Sequence, residues 1–275
     1  MSNYSFSIEN EGYGDVIFSM SLQNEEARLK LLASTYDSFS KQHFKKLKKL
    51  GLTEQSKCLD IGSGYGSIPL WLASPQGGSA LEVVALDKDI TVIEKYLTNV
   101  KNIKIVQGNI NEIEHYREYF DYIHIRFVLN HLPNRSELIG KLKTWLKPGG
   151  WLTITDFIWD EASLPESNHK ILMKEMWSIL QQRIGNNPYW ILESVPKMNQ
   201  LGFEELIYET HSENKEIIDT LTLFWEMTLM SMKKDIMEQS NITEEVFESG
   251  IKQTRKSLLM SYQPQVVSVS GRVAY

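Results

Sequence analysis

The chain changes from one hydrophobic period to another, and these changes divide it into three regions. Over 24–50 apolar residues recur every three or four positions, which predicts helical structure. Ser38-Phe39-Ser40 interrupts that pattern and favours two helices there. From residue 56 short β-branched runs take over, predicting strands at 56–61, 81–86, 103–106, 120–125 and 151–155. Segments of helical length separate or follow them, at 66–73, 89–99, 110–118 and 134–146.

Alternating strands and helices indicate a parallel sheet covered on both faces, because parallel neighbours need crossover connections. Pro148-Gly149-Gly150 is predicted to end the last of these helices and to turn the chain into the fifth strand. Beyond Phe157 the alternation stops. Helices are predicted there at 166–183, 190–201, 215–238 and 242–259, with strands at 203–208 and 266–275. The fold class is therefore α/β: a doubly wound, seven-stranded, mostly parallel sheet with N-terminal helices and an inserted helical cap.

We expect a single domain over 1–275, with no linker between independent units. Its predicted parts are N-terminal helices at 23–55, a core at 56–157, cap helices with one strand at 158–262 and a closing strand at 263–275. The net charge of −6 disfavours a broad electrostatic grip on nucleic acid or anionic lipid. The single cysteine, Cys58, lies in an apolar strand and cannot form an internal disulfide. With no apolar run of about 20 residues and no basic start before an apolar segment, we expect a cytoplasmic protein.

A glycine-rich turn follows the first predicted strand. From Asp60 to Gly66 the sequence reads Asp-x-Gly-x-Gly-x-Gly and leads directly into a predicted helix. Glycine permits a tight turn and the close approach of a ligand to the backbone, and the following helix N-terminus suits a carboxylate or phosphate. The third glycine comes one residue earlier than in the dinucleotide fingerprint, which disfavours a nicotinamide oxidoreductase.

The carboxyl ends of the next strands carry residues that suit a nucleoside. In an open parallel sheet the ligand binds beyond these ends. Asp87, followed by Lys88, comes about 20 residues after the glycines and is placed to accept ribose hydroxyl groups. After the third strand Asn109 can present its amide to an adenine edge and Ile110 can lie on the ring. Asn109 fits equally well as the N-cap of the next helix.

These features together resemble the class I, Rossmann-like S-adenosylmethionine-dependent methyltransferases, in particular the bacterial small-molecule type. The resemblance rests on the glycine turn and on the segments 120–126, 130–133 and 146–150, and it covers about 23–157 and the strand at 265–275. It implies S-adenosylmethionine as cofactor. The cofactor-binding residues that it implies are Asp60, Gly62, Ser63, Gly64, Gly66, Asp87, Lys88, Asn109, Ile110, Arg126 and Phe127.

Within this set the resemblance also implies individual roles. Gly62, Gly64 and the neighbouring backbone would hold the methionine part of the cofactor, with Asp60 near its ammonium group. Arg126 and Phe127 would lie beside the methionine tail.

Methyl transfer asks for little catalytic machinery, because a sulfonium methyl group is already electrophilic and placement supplies much of the rate. A base is needed only where the acceptor must lose a proton. The candidate catalytic residues are His131, just past the fourth strand, and Asp156, at the end of the fifth. The stronger interpretation of His131 is that it only holds its loop together.

The cap is expected to recognise the acceptor. Its helices are rich in aromatic and methionine side chains, which suit an apolar or aromatic acceptor, although such a stripe also fits plain core. The candidate substrate residues are Tyr36, Asn130, Trp159, Tyr189, Trp190, Trp225 and Met230.

We therefore expect a methyltransferase that acts by in-line displacement on O, N or C of a small, partly apolar metabolite of secondary metabolism. S-adenosylhomocysteine would be released, no metal is assigned, no nucleic acid or membrane partner is expected, and the protein would be a monomer or homodimer. The lack of an unmistakable base leaves open a cyclase or other non-methylating protein on the same scaffold. A macromolecular methyltransferase is less favoured, because Asn-His-Leu-Pro at 130–133 replaces the Asn/Asp-Pro-Pro-Tyr/Phe tetrapeptide of enzymes that methylate planar nitrogens.

Overall fold

The computed structural model describes residues 14, 17–19, 24–211, 217–260 and 265–275. Within them seven strands form one sheet. The strands are β1 (Lys57–Ile61), β2 (Glu82–Asp87), β3 (Ile103–Gln107), β4 (Phe120–Arg126), β5 (Leu146–Ile158), β6 (Phe203–His211) and β7 (Gln265–Val273).

The strand order is β3-β2-β1-β4-β5-β7-β6. The first five strands run parallel, and β7 is antiparallel to both of its neighbours, β5 and β6. After β3 the chain returns to the other side of β1, so the strand order reverses between β1 and β4. A ligand of an open α/β sheet binds at such a switch point. The predicted fold class, a doubly wound and mostly parallel seven-stranded sheet, is confirmed.

Helices cover both faces of the sheet. They are α1 (Glu25–Lys48), α2 (Ser67–Ala73), α3 (Thr91–Leu97), α4 (Arg135–Trp145), α5 (Asn168–Ile184), α6 (Ile191–Gln200), α7 (Ile218–Ser231), α8 (Lys233–Gln239) and α9 (Glu244–Met260). In these described parts of the chain, every helix is too short or too polar to cross a bilayer. The first two residues of the helix predicted at 215–238 lie outside the described residues.

The two helices predicted over 24–50 are in fact one continuous helix, α1. Ser40, which looked like part of a break, faces the sheet, where its hydroxyl lies 3.1 Å from His124 Nε2 and 3.2 Å from Arg126 Nη1. Phe39 stacks on the ring of His211 at 4.8 Å. The interruption of the apolar pattern therefore marks a polar contact between helix and sheet, which sequence periodicity does not distinguish from a helix end.

The helix predicted at 110–118 is absent, and that segment is an irregular connection from β3 to β4. Asn109 closes a local turn instead, because its side-chain oxygen accepts the backbone N–H of Asn111 at 3.0 Å. Ile110 and Ile113 turn into the core, and Glu118 has a φ of +44°, outside the helical region. The hydrogen bond within this turn and the burial of the two isoleucines therefore stabilise an irregular connection in place of the predicted helix.

Two further boundaries differ from the prediction. The segment 215–238 contains α7 and α8, which are separated at the buried Met232, where φ is −103° and ψ is 7°. The fifth strand begins at Leu146 and not at 151, so Pro148-Gly149-Gly150 lies inside β5. The pairing of β5 with β4 shifts register at this point, and Gly149 has a φ of +78°, which are features of a bulge.

The cap helices pack over the carboxyl ends of the central strands. Residues from α5, α7 and α9 form one buried cluster with Tyr36 of α1 and with Phe127 and Phe157, which lie at the ends of β4 and β5. A second cluster packs α4 and α6 on the sheet. The cap therefore shares a core with the functional end of the sheet. The division of the chain into one domain with the boundaries given above stays a prediction.

Gly62→Ala should destabilise the protein. Gly62 has a φ of +68°, and a Cβ there would lie 2.2 Å from Val128 Cγ2, so the variant combines backbone strain with overpacking. We expect the free energy of unfolding in urea to fall by about 1–3 kcal/mol. Gly140→Ala is the matched control, since Gly140 lies within α4 and its Cβ would come no closer than 3.7 Å to Leu201; it should be neutral or stabilising. Equal stability of the two variants would contradict the prediction.

Candidate active site

The glycine turn after β1 is built so that backbone faces the switch point. Gly62, Gly64 and Gly66 all have positive φ, at +68°, +52° and +82°. The N–H groups of Gly62 and Ser63 both donate to the carbonyl of Leu86, at 2.9 and 3.2 Å, which ties the turn to the end of β2. Side chains at these conformations would be strained, so the turn requires glycine.

Asp87, the last residue of β2, is bound to the same turn. Its Oδ2 accepts the N–H of Gly64 at 2.7 Å and its Oδ1 accepts the N–H of Asp89 at 3.2 Å. Burial raises the pKa of this carboxyl above its ordinary value, and the backbone N–H groups partly oppose that effect. The carboxylate is thus held rigidly beside the glycine turn, where it can accept hydrogen bonds from a ligand.

Asp60 lies behind the turn and not in front of it. It is 3% exposed, and its Oδ1 is 2.6 Å from His124 Nδ1 on the adjacent strand β4. Arg126, at the end of β4, is held by α1: its Nη2 donates to Asp37 Oδ1 at 2.9 Å. Ser67, the first residue of α2, donates to the same carboxylate oxygen at 3.0 Å. This polar layer fixes α1 over the switch point.

One cavity of about 500 Å³ extends along the carboxyl ends of the strands and under the cap. Of the residues predicted to bind the cofactor, those that line it are Gly62, Ser63, Gly64, Asp87, Lys88, Asn109, Ile110, Arg126 and Phe127. Asp60 and Gly66 do not line it: Asp60 is beneath the turn, and a Cβ at Gly66 would meet Leu97 of α3 at 2.9 Å. Nine of the eleven residues are therefore brought to one surface.

The far end of the cavity is an aromatic chamber, which we define by Phe18, Phe157, Trp177, Phe224 and Trp225. The Phe157 and Trp225 rings lie 5.9 Å apart, and the Trp177 and Trp225 rings 6.4 Å apart.

Phe127 stands where the chamber meets the strand ends. Its φ of +56° is uncommon for a residue other than glycine, and its ring stacks on Phe157 at 4.1 Å and 9°. The stack forms a flat apolar wall next to Arg126, which also lines the cavity.

His131 lines the cavity and is neutral. Burial, with the charges of Arg28 and Arg135, lowers its pKa to about 3. Its Nδ1 lies 2.9 Å from the side-chain amide nitrogen of Asn186, in the segment between α5 and α6. The backbone N–H of Asn187 donates to the carbonyl of Asn130 at 3.0 Å. The loop after β4 is therefore bound to the cap on its outer side.

Asp156 lies under that loop and does not line the cavity. It is 1% exposed, its Oδ2 accepts the N–H of Asn130 at 3.1 Å, and its Oδ1 accepts the N–H of Phe157 at 3.0 Å. Burial raises the pKa of its carboxyl to about 7. Its contacts are those of a residue that positions the loop.

The residues predicted to contact substrate divide into two groups. Asn130 and Trp225 line the cavity. Tyr36 is buried behind its wall, edge-on to Phe127 and Phe157 at 5.1 and 5.4 Å. The remaining four candidates do not line the cavity either. Trp159 and Trp190 are buried elsewhere in the core, whereas Tyr189 and Met230 are 45% and 51% exposed at the surface.

Sequence reasoning missed the contribution of α1 to this site. Glu25 and Arg28 line the cavity, although both are only 3% exposed. Arg28 donates from Nε to Glu25 Oε2 at 2.8 Å and from Nη2 to Glu25 Oε1 at 2.6 Å. In the sequence, Glu25 looks like an acid that complements the helix dipole. The Glu-x-x-Arg spacing predicts a pair on one helix face, but not that this face is buried.

The methyltransferase domain family matches residues 24–203, more than half of the chain. Methyltransferase str2 of Strobilurus tenacellus is 30% identical over 141 residues, which are 50% of this chain and 49% of that protein. The chain thus spans about half the length of this relative. It belongs to the methyltransferase domain family.

Two solved structures show the same fold. The complex of Haemonchus contortus phosphoethanolamine N-methyltransferase 2 with phosphomonomethylethanolamine and S-adenosylhomocysteine has a TM-score of 0.61 at 14% identity. It covers 91% of this chain and 58% of that one. The [4+2]-cyclase SpnF has a TM-score of 0.54 at 14% identity, and the match covers 91% of this chain and 81% of that one. At such identity these likenesses concern the fold.

Class I members of the family use S-adenosylmethionine, and the cavity fits this cofactor on three observations. The turn at Gly62 and Gly64 presents bare backbone. Asp87 holds a carboxylate beside it, as a ribose requires. Buried Ile110 offers an apolar surface to an adenine ring in the same cavity.

Asp156 should make the protein less stable as the pH rises. Its pKa is raised from 3.8 to about 7 in the folded chain, so the stability associated with its protonated form is full below about pH 4 and is lost as the pH passes about 7. The loss amounts to at most about 4 kcal/mol. Urea unfolding from about pH 4 to about pH 8 should show this component in the wild type but not in Asp156→Asn. Asp121→Asn, which removes a carboxylate near the start of β4, should retain the pH-dependent component. Equal pH profiles for Asp156→Asn and wild type would refute the assignment to Asp156.

Proposed function

We propose that this protein is an S-adenosylmethionine-dependent methyltransferase that acts on a small, partly apolar metabolite. The observation that carries the proposal is a single cavity with two unlike ends. One end has the glycine turn, Asp87 and Ile110, which suit the cofactor, and the other is the aromatic chamber, which suits an apolar acceptor. Conjugated, apolar compounds of secondary metabolism match such a chamber, and we propose that the acceptor comes from this class.

The protein's task in this reaction is placement. S-adenosylmethionine, when bound, supplies a methyl group that is already electrophilic. The glycine turn and Asp87 would hold the cofactor at the strand ends, and Arg126 and Phe127 would border its methionine part. Holding donor and acceptor in line can contribute about 7–11 kcal/mol to the lowering of the barrier.

The cap would exclude water and orient the acceptor. Trp177 of α5 and Trp225 of α7 are 7% and 2% exposed although both line the cavity, so this part of the site is well enclosed. Their large, rigid surfaces bury an apolar ring at little cost in side-chain entropy.

We further propose that His131 and Asp156 position the loop and are not general bases. A group whose pKa is about 3 is too weak a base to take a proton from an acceptor at neutral pH. Asp156 is directed at two backbone N–H groups behind the cavity wall. An acceptor that needs deprotonation would then lose its proton before transfer.

Asp87→Asn should weaken binding of S-adenosylmethionine. Asparagine is isosteric but neutral, and its amide would oppose the N–H of Gly64 as well as lose charged hydrogen bonds to the ribose. We expect Kd in calorimetric titration to rise about 10- to 100-fold, the effect of one or two charge-assisted hydrogen bonds. Asp121→Asn is the control, because Asp121 also accepts a backbone N–H, that of Lys57, at the opposite end of the sheet. Unchanged affinity in Asp87→Asn would remove this carboxylate from the cofactor site.

The proposed activity is tested with labelled methyl donor and a metabolite panel, with the products analysed by mass spectrometry. We expect a product heavier by one methylene unit, together with S-adenosylhomocysteine. A product isomeric with its substrate, and no S-adenosylhomocysteine, would indicate a cyclase on the same scaffold. A protein that does not bind S-adenosylmethionine or S-adenosylhomocysteine would refute the proposal.

A further inference from the structure

Two buried arginines lie near His131, and one of them lines the cavity. Arg28, on α1, lines the cavity itself and is 3% exposed. Arg135, on α4, is 8% exposed and donates from Nε to the carbonyls of Leu129 and Leu132, at 3.1 and 2.6 Å. Buried arginines are rare, so two guanidinium groups beside one histidine are a specific feature of the site.

Arg28 is held in a fixed orientation. Glu25 accepts from its Nε and Nη2, and its guanidinium carbon lies 4.2 Å from the centre of the Phe18 ring and 5.6 Å from that of Phe224. Both rings belong to the aromatic chamber. Both oxygens of Glu25 are engaged by the guanidinium, so this acid is not available to bind a cationic amine.

The charges around His131 favour an anion and disfavour a cation. Burial is the largest cause of the lowered pKa of the His131 imidazole, and the charges of Arg28 and Arg135 oppose its protonation further. Among the described residues, the acids that face this region are Glu25, which is bound to Arg28, Asp156, whose pKa is raised to about 7, and Glu193 beside Arg135. The charges of the two guanidinium groups, unlike burial, stabilise an ionised oxygen at the same place, as does a sulfonium in the cofactor site.

Asn130 supplies a neutral hydrogen-bonding group in this region. It lines the cavity, is 1% exposed, and neither polar atom of its side-chain amide has a hydrogen-bond partner among the described residues. Buried amides are nearly always paired, so this group is suited to a ligand.

We propose, on the basis of the methyltransferase function argued above, that the acceptor is an acidic hydroxyl on an aromatic or conjugated carbon, bound as its oxyanion beside Arg28 and Asn130. The product is then a methyl ether. Arg28 determines specificity by favouring this anion over an uncharged aromatic amine of the same shape, and the aromatic chamber holds the ring that carries it.

In the transfer step, the hydroxyl first releases its proton to water. The oxyanion's electron pair forms the new O–CH₃ bond, and the S–CH₃ bond breaks. The electron pair of the broken bond stays on sulfur, which turns the sulfonium into the neutral thioether of S-adenosylhomocysteine. No base in the protein has to accept a proton, in agreement with the neutral, weakly basic His131.

The probe for this proposal is 4-nitrophenol, whose ionised form absorbs visible light. It is titrated against protein saturated with S-adenosylhomocysteine, over a range of pH. We expect bound probe to show the phenolate band at pH values where free probe is mostly protonated. Arg28→Gln should raise the apparent pKa of the bound probe and weaken binding about 10-fold or more. Lys30→Gln removes an exposed cation from the same helix, outside the cavity wall, and should change neither quantity.

Glu25→Gln distinguishes an electrostatic role from a merely structural one. Removing this acid leaves Arg28 less neutralised, so the bound probe should ionise at still lower pH, the opposite of the effect of Arg28→Gln. A structural role would disturb the site in the same direction in both variants. Binding of S-adenosylhomocysteine shows whether each variant is folded. If Arg28→Gln does not fold, the shift in the apparent pKa of the bound probe in Glu25→Gln still tests the proposal.

Turnover provides the second measurement, with labelled methyl donor and the matched pair 4-nitrophenol and 4-nitroaniline, extended to other phenol–aniline pairs. We expect methylation of phenols only. The proposal is overturned if anilines are preferred, if no phenol of the panel binds, or if bound 4-nitrophenol is protonated. In those cases a protein that binds S-adenosylmethionine and methylates another acceptor still supports the proposed methyltransferase function, whereas loss of cofactor binding refutes that function instead.

Discussion

The site depends on one steric constraint, the contact between Gly62 and Val128. A Cβ at Gly62 would lie 2.2 Å from Val128 Cγ2, so the turn after β1 and the loop after β4 pack together with no room for a side chain between them. These two segments lie on either side of the strand-order reversal. Because they are in contact, the turn that presents backbone to a cofactor and the loop that carries Asn130 and His131 border the same cavity.

Helix α1 is the second element on which the site is built, since it connects the sheet with the cap. At its middle Asp37 and Ser40 bind the carboxyl-terminal part of β4, through Arg126 and His124. At its start Glu25 and Arg28 reach the aromatic chamber. One continuous helix therefore positions both Arg126, in the wall beside the glycine turn, and the charged pair at the aromatic chamber. The polar interruption that suggested a break is the contact that holds the helix in place.

Charge and burial assign different tasks to the ionisable groups of the site. Asp87 is stabilised by backbone N–H groups next to the cavity, so its carboxylate is available to a ligand. Asp156 uses its oxygens on backbone N–H groups behind the wall. His131 lines the cavity, but burial and two arginines keep it unprotonated. Asp87 and Asp156 are the same residue type near the carboxyl end of a strand, and only their surroundings separate a residue at the cavity wall from one beneath it.

Features that are local along the chain could be predicted from the sequence. The β-branched runs and the separating helices predict the parallel sheet, and the spacing from Asp60 to Gly66 and on to Asp87 predicts a nucleoside site, because strand ends of a parallel sheet necessarily meet at one edge. Boundaries at 110–118 and Leu146 were wrong, because local turns and a bulge compete with propensity there. What only the tertiary structure decided is the acceptor end. Arg28, Trp177 and Trp225 come from helices far apart in sequence, and their shared cavity arises from packing between these helices, which no periodicity encodes.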